Sequence, residues 1–215
     1  MIHPHTELRR VSEAIGYGVF ATRRIPRGTI TWTLCALDRV FPPAAVAAMD
    51  PIYQSILARY AYLDADGQFI LCWDLARQIN HSCEPSNLAA GPAADIAVRD
   101  IERGEQLTCE YGVLNTVTLE CRCGAPACRG VIRADDAVRY GDAWDRRVRE
   151  ALPLARTVDQ PLWPFVKDKD ALEAILSGRA PLPRHRDYYC PHPALSPDTL
   201  LGMSPEAREP ASDRA

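Results

Sequence analysis

Eight cysteines occur in 215 residues, and four of them could act together. Cys121, Cys123 and Cys128 form a C-x-C-x4-C stretch within ECRCGAPACRG, residues 120 to 130, where Gly124 and Pro126 shape the turns. Zinc is held tetrahedrally by four sulfur or nitrogen ligands at about 2.0 to 2.3 Å, so three thiolates in one loop need a fourth. Cys83, in INHSCEPSN at residues 79 to 87, is the candidate for that place. Two other readings stay open: small buried cysteines with no metal, and a three-thiolate site completed by His81. Zinc on four thiolates keeps no coordination position for water and is structural. By joining residue 83 to residues 121 to 128, it would clamp the second cluster over the loop that carries Asn80 and His81. Cys35, Cys72, Cys109 and Cys190 stand apart in sequence and read as small hydrophobic residues.

The elements that must position these groups show in the apolar pattern. GYGVFATRRI, the turn PRG and TITWTL read as a hairpin over Gly16 to Leu34, with Ile30, Trp32 and Leu34 on one face. Residues 43 to 59 are helical with one break, because Asp50 before Pro51 is a cap and first-turn pair for a new helix. A second hairpin turns on DADG, residues 64 to 67, between YAYL and FILCW. Farther on, DIAVRDI, the turn ERGE and QLTCEYG put Leu107, Cys109 and Tyr111 on alternate positions of one strand face. Ala137, Tyr140, Trp144, Val148 and Ala151 then mark one face of an amphipathic helix ended by Pro153. A short helix follows over residues 170 to 177 with Gly178 as its stop. Ten of the 18 prolines lie from Pro153 onward, and residues 181 to 215 are expected to be irregular and partly disordered.

Composition excludes several classes. With 47% hydrophobic residues the chain can build one main domain plus an extension. A formal charge of -3 gives no overall basic footprint, so direct nucleic-acid binding is not expected. No apolar run approaches the roughly 20 residues of a membrane span, and MIHPHTELRR lacks the apolar core of a secretory signal. A soluble intracellular protein is expected, and in a reducing compartment clustered cysteines are metal ligands or reactive thiols rather than disulfides.

In chain order, GYGVFATRRIPRG (residues 16 to 28), RQINHSCEPSN (77 to 87), RGEQLTCEYG (103 to 112) and CRCGAPACRG (121 to 130) resemble the motifs of SET-domain protein lysine methyltransferases with a post-SET zinc-binding segment. The match extends over a little more than half of the chain. It implies a mainly β SET fold of several small sheets, with a knot-like crossing of the NHSC segment and the strand end bearing Tyr111, and a helical C-terminal extension. The implied division is a SET domain over residues 1 to 115 with an insertion at about 36 to 75, a post-SET segment over 116 to 132, helices over 133 to 180 and the tail over 181 to 215.

The resemblance also implies S-adenosylmethionine as methyl donor, a structural zinc, and a lysine side chain of a protein or peptide as acceptor, the two substrates meeting from opposite faces. Tyr111 then matches the catalytic tyrosine. Gly16, Tyr17, Gly18, Asn80 and His81 match the cofactor-binding positions, Cys83, Cys121, Cys123 and Cys128 the metal ligands, and Tyr60, Tyr62 and Cys109 the substrate channel. Arg77 is expected to support the loop before Asn80. Three departures stand out: Tyr17 where many relatives have tryptophan, one extra residue in CEPSN before Asn87, and Cys109 where relatives carry tyrosine or phenylalanine. A small thiol there enlarges the channel, so di- or trimethylation is expected. The substrate can be a histone or another protein, in the nucleus of a eukaryote or the cytoplasm of a bacterium; the target lysine and the oligomeric state stay open. The rival reading is a zinc-stabilised SET-like binding module that binds cofactor without turnover.

Overall fold

In the computed structural model, described at residues 1–91, 93–114 and 118–190, strand pairing departs from the first expected hairpin. Gly16–Ala21 pairs antiparallel with Thr6–Ser12 on one side and with Gln106–Cys109 on the other. Ile30–Thr33 pairs instead with Ala94–Ala97. All four residues of Ile30–Thr33 are buried. A strand covered on both faces needs a sheet between packed layers, which a two-stranded hairpin cannot provide.

The first sheet runs in the order Thr6–Ser12, Gly16–Ala21, Gln106–Cys109, Asn80–His81. Its last pair is parallel, with Thr108 opposite Asn80 and Cys109 opposite His81. Parallel neighbours require a long crossover, and residues 82 to 105 supply it through Asn87–Gly91 and Ala94–Ala97, which join Ile30–Thr33 in a second sheet. The strand leading to Tyr111 thus enters between the N-terminal strands and the Asn80–His81 segment. Past Tyr111 the chain reaches Leu114, whose carbonyl accepts a hydrogen bond from Leu63 N at 3.2 Å. This is the crossing that the SET fold implies.

The insertion folds much as its sequence reads. Asp50 accepts from Ile52 N at 2.9 Å and starts the helix Pro51–Tyr60. Ala61–Leu63 and Phe69–Leu71 form the DADG hairpin, and Arg39–Phe41 adds a third strand. Val46, Leu57, Leu63 and Phe69 make a small core separate from the main ones. That separation lets the insertion stand as one wall of the central cavity.

Helix Asp136–Ala151 buries Ala137, Trp144, Val148 and Ala151 against Leu88, Ala90, Ile96 and Val98. Beyond it, Asp168 caps the helix Lys169–Leu176, and Gly178 takes a positive φ of 72° just past its end. His185 is fully buried; its backbone N and ring Nδ1 lie 3.0 and 2.6 Å from Asp145 Oδ1, which pins the turn His185–Tyr188 onto the long helix. The start of the expected tail is therefore packed, while residues 191–215 of it lie outside the described residues. Among the described residues no helix is long and apolar enough to cross a membrane.

Candidate active site and metal cluster

The expected strand face of Leu107, Cys109 and Tyr111 is not one surface: the strand ends at Cys109, Leu107 is buried in the core and Tyr111 begins a 3-10 turn, and the residues around the crossing divide between two cavities. Ile79, Cys109 and Tyr111 line one of about 910 Å³. Asn80, His81 and Thr108 line another of about 310 Å³. Tyr111 stands at the border: its Oη donates to Ile79 O at 2.8 Å, its backbone N–H donates to His81 Nδ1 at 3.2 Å, and the two rings lie 5.5 Å apart. Burial, with a smaller contribution from Cys109, pushes the phenol well above its ordinary range, so the ring stays neutral.

The larger cavity collects the expected channel residues. Tyr62 packs edge-on to Trp32 with centroids 6.1 Å apart, and Tyr60 lines the same space beneath the Arg59 guanidinium. Burial raises the Cys109 thiol, which is accordingly protonated and unreactive. Arg77 also borders this space, but its Nη1 reaches only Trp73 O at 3.5 Å, within its own turn.

On the other side, Asn80 Nδ2 donates to Tyr17 O at 2.9 Å. A Cβ at Gly18 would lie 2.8 Å from both Asn80 Nδ2 and Gln106 Oε1. The glycine expected to admit a ligand is already used by Asn80. Gly16, at φ 83°, meets nothing, and the Tyr17 side chain is half exposed.

The four expected thiols converge across almost 40 residues of intervening chain. Cys83 Sγ and Cys121 Sγ are 3.7 Å apart, and Cys128 Sγ is 3.6 Å from Cys121 Sγ. A tetrahedron of sulfurs at about 2.3 Å from zinc has edges of about 3.8 Å, so the spacing fits a thiolate-bound metal. Ligand atoms of His81, Cys83, Cys121 and Cys123 all lie within 4.8 Å of one another. The His81 tautomer assigns its place. A backbone N–H only donates, so Nδ1 is the acceptor from Tyr111 and the ring proton sits on Nε2, which donates to Cys83 Sγ at 3.3 Å. Burial, then Arg129, lowers the imidazole to about 4, so it is neutral. In this tautomer His81 Nε2 donates to Cys83 Sγ, while its Nδ1 is engaged by Tyr111 N. Backbone N–H groups of Cys83, Arg129 and Gly130 point at the sulfurs of Cys123, Cys83 and Cys128.

Two charged residues escaped the sequence reading. Glu110, at 1% exposure, accepts both Arg129 Nη atoms at 3.1 and 2.6 Å and Gly112 N at 3.0 Å. Arg129 also lies 3.4 Å from Asp136 Oδ2 and stacks on Tyr140 and Trp144, 4.9 and 5.7 Å from their centroids. One ion pair thus ties Tyr111's neighbour to the cysteine cluster and the long helix. The only signal in sequence was a charge directly beside each motif residue. Arg129→Met should destabilise the protein by about 3 to 5 kcal/mol, because Glu110 would stay buried without its partner. Urea unfolding measures this, and a loss below about 1 kcal/mol would show that the pair is dispensable.

The SET domain profile matches residues 16–112. The H3 lysine-36 specific histone-lysine N-methyltransferase of Schizosaccharomyces pombe is 28% identical over 162 residues, covering 67% of this chain and 20% of the relative. Histone-lysine N-methyltransferase TRX1 of Oryza sativa subsp. japonica is 31% identical over 135 residues, 57% of this chain and 13% of the relative. The methyltransferase domain of human histone-lysine N-methyltransferase SETMAR superposes with a TM-score of 0.43 at 20% identity, covering 61% of this chain and 58% of that one. The chain spans a fifth or less of the two curated relatives' length. From the turn at Gly16 to the crossing at Tyr111 and Gly112, residues 16–112 are a SET domain.

Proposed function

We propose that this chain transfers a methyl group from S-adenosylmethionine to the side-chain amine of lysine in a protein substrate. One observation carries the reading: Tyr111 lines the larger cavity and is hydrogen-bonded through its backbone to His81, which lines the smaller one. The donor supplies, when bound, an electrophilic methyl carbon on a sulfonium. Asn80 and His81, with the Gly16, Tyr17 and Gly18 turn, are the residues that would hold it. Asn80 and Glu84, with the Arg99–Glu105 ion pair beside them, line this cavity and suit a ligand with a polar amino-acid end.

The rest of the work falls to the larger cavity. Ile79, Leu88, Leu114, Tyr60 and Tyr62 give it an apolar stretch of wall, beside charged residues such as Asp95 and Glu110. Against that stretch a lysine with an ordinary pKa of about 10.4 is favoured as the neutral, nucleophilic amine. Tyr111 is the catalytic residue: with its proton engaged by Ile79 O, its oxygen acts as an acceptor that aligns the amine. Cys83, Cys121, Cys123 and Cys128 hold a structural zinc in the segment 116 to 132, which clamps the crossing.

Transfer of tritium from methyl-labelled S-adenosylmethionine to histones, and separately to a lysate of the native source, tests the reading and separates histone from other substrates. Cofactor binding with no labelled protein would establish a binding module instead. Cys109 adds a product prediction. Its small side chain leaves room for added methyl groups, so the wild type should yield di- or trimethyl-lysine and Cys109→Tyr should stop nearer monomethyl-lysine. Mass spectrometry of the products decides; monomethyl-lysine alone from the wild type would sink it.

A further inference from the structure

Asp95 places a carboxylate where the fold has no use for one. It lies on Ala94–Ala97, the central strand of its sheet, between Trp32 and Ala89 in register, with buried apolar Ala94, Ile96 and Ala97 around it. Trp32, Ala89 and Asp95 all line the larger cavity. The small side chain of Ala89 leaves the space beside the carboxylate open.

Its partners are few for a carboxylate that is only partly exposed, toward the cavity. Asn87 Nδ2 donates to Asp95 Oδ2 at 3.0 Å, and among the described residues no lysine, arginine or histidine pairs with it. Asn87 is itself fully buried, lines the same cavity, and its Oδ1 has no hydrogen-bond partner. Because a carboxylate only accepts, the amide must turn its nitrogen toward Asp95, and Oδ1 is left as a second acceptor. Burial pushes Asp95 up to about 6 despite the hydrogen bond from Asn87. A carboxylate held in largely apolar surroundings with no opposite charge paired to it is costly in general terms, and Lys167, Arg59 and Arg77, which line the same cavity, form no ion pair with it, so a cation entering the cavity can serve as its partner.

The surroundings narrow the class of cation. Tyr62 and Trp32 present aromatic surface in the same cavity, which favours an alkylated ammonium over a bare metal ion. Cys109 and Tyr111 share this cavity as well, so the space left by the small thiol belongs to the same enclosure as the carboxylate. We propose that Asp95, held by Asn87, is a subsite for primary and N-methylated alkylammonium groups in the larger cavity. The identity of the guest as a substrate lysine rests on the methyl-transfer reading; the subsite itself does not. Transfer needs the neutral amine at Tyr111, so Asp95 acts before it, drawing the cation into the cavity, and after it, pairing with the methylated ammonium. It is a substrate-binding residue and not a catalytic one.

Ligand-observed nuclear magnetic resonance on the full chain tests this with n-butylammonium and n-butanol as probes, against wild type and Asp95→Asn. Wild type should prefer the ammonium over the alcohol by about tenfold or more, as a charge-assisted hydrogen bond implies. Asp95→Asn keeps the shape and the bond to Asn87, and should erase that preference. Equal binding of the two probes to wild type overturns the subsite, and so does a preference that survives in the variant. Thermal unfolding shows whether the variant is folded; if it is not, the wild-type comparison decides alone. A subsite found without any methyl transfer to protein would keep this inference and remove the lysine reading, whereas transfer without the subsite would do the reverse.

Discussion

Tyr111→Phe is expected to lower methyl transfer by about two to three orders of magnitude, the usual cost of removing one oriented polar group from a reacting centre, with cofactor affinity unchanged. The ring would keep its place, because it packs 5.5 Å from the His81 imidazole and its backbone N–H still donates to Nδ1. What disappears is the Oη bond to Ile79 O at 2.8 Å and the oxygen itself. Leaving that carbonyl without its donor costs about 1 to 3 kcal/mol of stability, which a folded domain of this size tolerates. Single-turnover labelling gives the rate and calorimetric titration with S-adenosylmethionine gives the affinity. A variant within about threefold of the wild-type rate would remove Tyr111 from the mechanism. Loss of cofactor affinity in parallel with rate would mean that the phenol serves the other cavity.

Cys121→Ser should empty the metal cluster and disable the enzyme together. Cys121 is the hinge of the set, with sulfur neighbours at 3.7 and 3.6 Å in Cys83 and Cys128. Structural zinc contributes folding free energy directly, about 10 to 16 kcal/mol in small peptides. Here the sheets keep cores of their own, so the loss should concentrate in residues 79–84 and 118–132. Elemental analysis should find about one zinc per wild-type chain, as four ligands require, and none in the variant. Hydrogen exchange should speed up in those two segments while Gly16–Ala21 and Ala94–Ala97 stay protected. A strong chelator should reproduce the effect on the wild type. Full activity in a metal-free variant would show that the thiols pack without an ion.

Local signals were the legible ones. Asp50 before Pro51 announced a helix start, DADG a turn, and the three- and four-residue steps from Ala137 to Ala151 a buried helix face on which Tyr140 alone of the five expected residues is exposed, because each depends on neighbours within a few residues. Chemistry-bearing motifs were legible too, and Tyr111, Asn80, His81 and the four cysteines do converge. Pairing was not. Period-two alternation tells which face of Ile30–Thr33 is apolar but says nothing about the partner strand, so Ala94–Ala97 went unforeseen. Thr6–Ser12 gave no alternation to read, since five of its seven residues are exposed along a sheet edge. Glu110, Arg129 and Asp95 look like surface charges in sequence. Only the tertiary fold shows which of them is neutralised by a partner and which awaits one.

The bond from Glu110 to Arg129, continued to Asp136, bears on the order in which the chain can become active during synthesis. The whole SET match has been synthesised by residue 112, yet Glu110 then lacks Arg129 and Cys83 lacks its fellow thiols. A nascent chain released early would own the whole recognisable domain and lack a working centre. Completion of the segment up to the long helix is therefore what brings Glu110 its guanidinium and Cys83 its neighbouring thiols.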